Sequence, residues 1–149
     1  MKRLLVVSLL VLFTSTAWAW QYESTTDLMT GVVSNVAGLD AVASQGTLRT
    51  PVIILRYSDD LEVFVHWGGY TVDRDIRNAA VRVGDGEMFP WRVILSTTRE
   101  ASFFSDPREF VRLLDGQVAM LVSSSTGRDM IGVWEVKDIA EVLHRLMDK

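Results

Sequence analysis

The chain has 149 residues, of which 48% are apolar, carries a formal net charge of −4 and contains no cysteine. Disulfides, thiolate metal sites and cysteine nucleophiles are therefore excluded, and stability has to come from the core. An acidic chain without a basic run also lacks the electrostatic footprint needed for nucleic acid or anionic lipid, and its arginines, scattered among the predicted strands, read as solvated sheet faces.

Met1-Lys2-Arg3 precedes the apolar run Leu4–Phe13, and Ala17 and Ala19 follow as small residues two apart. This pattern predicts a secretory signal peptide over residues 1–19, cleaved between Ala19 and Trp20. The apolar run is too short to span a bilayer, so no stable membrane insertion is expected after cleavage. With no cysteine after the cleavage point, the product is not expected to be a lipoprotein. Loss of Lys2 and Arg3 leaves 13 basic against 19 acidic residues, a net charge of about −6. Residues 20–149 are expected to form a single periplasmic domain, large enough to build a core without staples.

Along that domain, Val32–Thr50 is rich in small and polar residues and reads either as a strand with a long loop or as a partly mobile excursion. From Pro51 onward, strand-like runs alternate with turns at antiparallel spacing. VIILRY and LEVFVHW flank Ser58-Asp59-Asp60. A three-residue loop places Ile53, Leu55, Tyr57, Leu61, Val63, Val65 and Trp67 on one apolar face. On the other it sets Arg56 against Glu62, Ile54 against Phe64 and Val52 against His66. A two-residue loop would mix the faces. The three-residue loop is therefore expected, with Asp60 in a left-handed backbone conformation.

NAAVRV and EMFPWRVILS form a second hairpin around Gly84-Asp85-Gly86, with Pro90 marking a bulge or an edge. A strand follows at about Ala101–Phe104. A helix then starts at Pro107, with Asp106 as N-cap and Glu109 closing a capping box, and ends at Gly116 in a left-handed position. QVAMLV and MIGVWEV are strands joined by the loop SSSTGRD. A closing helix carries Asp138 and Glu141 as a second capping box and the stripe Ile139, Val142, Leu143 and Leu146, expected to cover Val52, Ile54 and Phe64 on the second face of the first hairpin. The fold class is α+β: mainly antiparallel β sheet, as a sandwich or partly curled barrel, with two short helices, the second C-terminal.

The chemistry-bearing candidates are few. His66 and His144 are the only histidines. His144 reads as a solvated helix residue beside the apolar stripe. In VFVHWGGY, His66, Trp67 and Tyr70 are the candidate binding residues. Trp67 continues the apolar face and His66 projects the other way. Glu62 lies four strand residues from His66, roughly 13 Å along the chain, too far to share a metal. Gly68-Gly69 reads as the bend ending the strand. No nucleophile elbow accompanies the serines. Asp59-Asp60 and the pair Asp73 and Asp75 read as solvated loop charges, and Gly84-Asp85-Gly86 lacks the strand-to-helix context of a phosphate loop. No catalytic residue, metal ligand or cofactor is assigned. The tryptophans Trp20, Trp67, Trp91 and Trp134 fit core packing better than a ligand platform.

Trp20-Gln21-Tyr22, Asp27-Leu28-Met29-Thr30, PVIILRY, VFVHWGGY, AVRVGDGE, WRVILSTTREASFF and EFVRLL, followed by a strand and a closing helix, together resemble the type VI secretion-associated VasI/TagO-like family of exported envelope proteins. The likeness runs through almost all of residues 20–149. It is most specific from Trp91 through Ser96-Thr97-Thr98 to Ala101 and Phe103, with Arg56 and the Trp67 to Tyr70 spacing. It implies a periplasmic, non-enzymatic accessory protein that binds another envelope protein, and it carries over no catalytic residue. Two other classes are weighed against it: a periplasmic binder of a small apolar or glycan ligand, and a small hydrolase or metal-dependent enzyme using His66.

Overall fold

The computed structural model describes residues 19–148, so all of the expected signal peptide before Ala19 lies outside the described residues. Ten strands follow in order: β1 Gln21–Thr26, β2 Val33–Asp40, β3 Ala43–Gln45, β4 Val52–Tyr57, β5 Leu61–His66, β6 Asn78–Val83, β7 Phe89–Leu95 and β8 Ala101–Phe104, then β9 Val118–Ser125 and β10 Arg128–Glu135. Helix α1, Pro107–Leu114, lies between β8 and β9, and helix α2, Ile139–Met147, closes the chain. All strand pairs are antiparallel, in the order β1-β2-β4-β5-β8-β7-β6-β9-β10-β3.

The first and last parts of that order belong to one bent segment. Ala41 donates its amide to Pro51 O (3.0 Å), prolonging the β2–β4 ladder, and Val42 donates to Val133 O (2.8 Å), beginning the pairing with β10. The sheet therefore curls, its far edge returning to β2 through β3, while β1 lies on β2 outside the curl. Of the two arrangements open from sequence, the partly curled barrel is the one formed. The stretch 32–50 is largely a bent strand and the loop after it.

The β4–β5 register is the expected one: Tyr57 pairs with Leu61, Arg56 with Glu62, Ile54 with Phe64 and Val52 with His66. Asp60 does not take the expected left-handed conformation, and neither Ser58 nor Asp59 does so in its place. Asp60 instead accepts the Leu61 amide on its own Oδ1 at 2.8 Å, so a side-chain bond holds the turn in place of a left-handed backbone. Pro90 pairs with Ala80 of β6, and β8 reaches only Val93–Leu95 of β7. The missing donor thus falls on the half of β7 that has one neighbour. The β9–β10 connection is tighter than the sequence suggests. Ser123–Ser125 and Arg128 onward are strand, leaving a two-residue turn at Thr126-Gly127 with both residues at positive φ. Such a turn matches the twist of its flanking strands, and Gly127 takes its conformation at little cost.

Both helices start where expected, but neither capping box forms. Asp106 and Asp138 sit at the N-caps in left-handed conformations without side-chain cap bonds. For α2, Asp115 at the end of α1 supplies the acceptor, its Oδ1 lying 3.4 Å from Ile139 N. Gly116 follows α1 at positive φ, as the sequence requires.

One core fills the curl. Ile53, Leu55, Leu61, Val63, Val65 and Trp67 pack with Leu121, Met130 and Trp134, and with Phe110, Val111 and Leu114 of α1 and Ile139, Val142 and Leu146 of α2. Helix α2 packs on β2 and β4 and joins this concave core; Val52, Ile54 and Phe64, which it was expected to cover, are not part of that core. In a curled sheet the concave face holds the continuous apolar surface, so the helix closes that side and leaves the convex face without a cover. Leu143 is only partly buried, whereas Leu146 is 1% exposed.

Candidate functional site

The three sequence candidates do not converge. Strand alternation sends Trp67 into the core, fully buried, where its Nε1 donates to Ser102 Oγ at 2.9 Å. His66 faces the opposite side between Val52 and Ala101, half-buried, and its Nδ1 lies 3.4 Å from the Gly68 amide. Tyr70 is exposed and borders a separate cavity with Gly46, Thr47, Ser125, Thr126 and Arg128. Gly68 and Gly69 both take positive φ, and a β-carbon on Gly68 would collide with the Arg49 carbonyl, while the Gly68 carbonyl accepts the Arg49 amide at 2.9 Å. The glycine pair thus ends β5 and seats the loop at Arg49 against it; VFVHWGGY is a strand end. Among the described residues, no three His, Asp or Glu side chains come together in a way that could hold a metal ion.

The other tryptophans also have structural partners. Trp134 donates to Leu39 O at 3.0 Å, Trp91 to Ser105 O at 2.8 Å and Trp20 to Lys137 O at 2.9 Å. The last bond fastens the start of β1 to the segment between β10 and α2.

Asp73, a solvated loop charge by its sequence context, is more than that in the structure. Its Oδ1 accepts the Thr126 amide at 2.6 Å, and its Oδ2 accepts the Gly127 amide at 3.1 Å and the Ser124 hydroxyl at 2.9 Å. These bonds clamp the β9–β10 turn to the β5–β6 connection. They hold the Asp73 carboxyl below the usual aspartate range, the Gly127 amide contributing most.

The feature least explained by folding is at the free end of the β1–β2 hairpin. Leu28 and Met29 are 96% and 93% exposed, and Val32 and Val33 beside them are exposed as well. The turn is nonetheless hydrogen-bonded: Asp27 Oδ1 accepts the amides of Met29 (2.8 Å) and Thr30 (3.3 Å). The Gly31 amide donates to Asp27 O and the Asp27 amide to Val32 O. Val32 and Val33 continue into a cavity of about 540 Å³ that also involves Asn35, Tyr57 and Leu146. Asn35 Nδ2 donates to Leu146 O at 2.9 Å, tying the end of α2 to its wall. An apolar tip and an adjoining hollow therefore share one end of the molecule. In the sequence Asp27-Leu28-Met29-Thr30 stands out only as part of the family resemblance; the structure shows it as a turn whose apolar pair is exposed.

No family model matches the chain, nor does any curated protein or solved structure.

Proposed function

We propose that this is an exported, non-enzymatic envelope protein that binds another envelope protein, an accessory component of the kind its sequence resembles in the type VI secretion-associated VasI/TagO-like family. The observation that carries the reading is the exposed pair Leu28 and Met29, held outward by the Asp27 turn. Two large apolar side chains left in water forgo roughly 1.5–3 kcal/mol each of burial that a partner surface can supply. The partner is a periplasmic or membrane-anchored protein with an apolar recess, since the net charge of about −6 after cleavage disfavours an anionic lipid surface. Residues 1–19 supply the export signal, and the mature chain begins at Trp20.

Expression of the tagged full chain in a Gram-negative host, followed by fractionation and N-terminal sequencing, tests both parts. Periplasmic protein starting at Trp20 is expected. A discrete envelope protein should co-purify with the wild type and be lost from a Leu28→Ser, Met29→Ser variant that melts at the same temperature. Cytoplasmic retention would overturn export, and equal recovery of the partner by both proteins would overturn docking through the turn.

A further inference from the structure

Four of the arginines gather at one place on the surface. Arg74 and Arg77 from the β5–β6 connection, Arg92 from β7 and Arg99 from the β7–β8 turn line one cavity of about 580 Å³. Among the described residues, ion pairs within 4.0 Å join only Arg56 to Glu62 and Arg112 to Glu109, so none of the four has a carboxylate partner at that distance. The nearby Asp73 hydrogen-bonds Ser124, Thr126 and Gly127, and its charge also interacts with Arg99 beyond ion-pair distance. Arg99 is fixed twice over: its backbone is held at φ 59 with its amide on Ser96 O (2.9 Å), and its guanidinium donates to Val72 O at 3.2 Å. Arg77 is tied to Arg74 O at 3.1 Å.

The cleft opens onto an apolar band. Ile94, on its wall, is 67% exposed and pairs across strands with Phe103, which pairs with Phe64, which pairs with Ile54. The Phe64 and Phe103 rings stack at 4.6 Å, and the Arg56 guanidinium lies over both. Four guanidinium groups without a directly paired carboxylate favour negative charge, and their planar donor forks suit carboxylates. The band beside them favours a ligand that is also apolar.

From this arrangement we infer that the cleft formed by Arg74, Arg77, Arg92 and Arg99 captures an acidic, partly apolar polypeptide segment, its carboxylates on the arginines and its apolar side chains on Ile94 and Phe103. This rests on the partner-binding reading and gives the partner a second, electrostatic contact, remote in sequence from the Leu28–Met29 turn.

Fluorescence anisotropy with a labelled, alternating Glu-Leu peptide of about twelve residues, in about 0.15 M salt, tests the assignment. Binding is expected, weakened about tenfold or more by Arg74→Glu with Arg92→Glu, two exposed residues whose change should leave the melting temperature in place. A Glu-Ser peptide should bind more weakly than the Glu-Leu peptide. Absence of binding to about 1 mM peptide, or affinity indifferent to the double charge reversal, would overturn the inference. So would a Glu-Ser peptide or tripolyphosphate that performs as well as Glu-Leu, which would make the cleft a simple anion site. The Leu28→Ser, Met29→Ser variant should bind the peptide like wild type. If partner capture in cells persists while the peptide fails, the cleft assignment alone is lost.

Discussion

Asp73, Ser102 and Ser123 show how a few polar atoms are handled in a chain without disulfides to stabilise it. The Asp73 carboxyl titrates below its unfolded value of about 3.9 because its charged form accepts three hydrogen bonds. Its contribution to stability is therefore fully present above that value and is lost as pH falls through the lower, folded-state value. Thermal melts from pH 7 down to pH 2.5 should show Asp73→Asn melting below wild type at neutral pH, with the gap closing in acid. A gap that stays constant with pH would mean that the charge of Asp73 is irrelevant. Ser102 and Ser123 are both buried, but Ser102 Oγ accepts the Trp67 indole whereas Ser123 Oγ has no hydrogen-bond partner among the described residues. Ser102→Ala should cost about 1–3 kcal/mol by orphaning a buried N–H, while Ser123→Ala should be neutral or stabilising. Urea titrations of the two variants decide this, and equal losses would show that the indole bond contributes nothing.

At the scale of elements, the closing helix divides its stripe unequally. Ile139, Val142 and Leu146 enter the concave core and Leu143 lies at its margin. Leu146→Ala should cost about 2–5 kcal/mol, Leu143→Ala distinctly less and His144→Ala almost nothing, by equilibrium unfolding. A Leu143→Ala loss equal to that of Leu146→Ala would put the helix in a different orientation. The β4–β5 hairpin was legible from sequence because both its faces constrain register: any slip would strand apolar residues in water and separate Arg56 from Glu62. The strand β1 was not, because QYESTT is almost wholly exposed and lacks an apolar alternation; it is placed by its ladder to β2 and by the Trp20 indole. Ser123–Ser125 read as loop for the same reason, their polarity hiding the pairing with Arg128–Met130. The capping boxes did not form because Asp106 and Asp138 both take left-handed backbones without side-chain cap bonds, and at α2 an acceptor remote in sequence, Asp115, faces Ile139 N.

For the molecule as a whole, curling the sheet settles what each face is for. The concave face is consumed by the core, including Trp67, one of the two aromatics that the sequence offers as binding residues. The surfaces proposed for recognition are the hairpin tip at Leu28 and Met29, which enters the sequence reading only through the family resemblance, and a cleft whose arginines, read from sequence as solvated, come from two connections and a strand. Neither site was legible, since exposure of the tip depends on nothing packing over it and the cleft exists only once β6, β7 and β8 are side by side. The tip carries the central claim, that the protein works by docking on an envelope partner. The most direct test is a photo-crosslinking residue placed at Met29 in the exported protein in living cells, with the exposed Val118 as control site. A single crosslinked species from Met29, absent from Val118, is the expected result; the same pattern from both sites, or none from either, would contradict it.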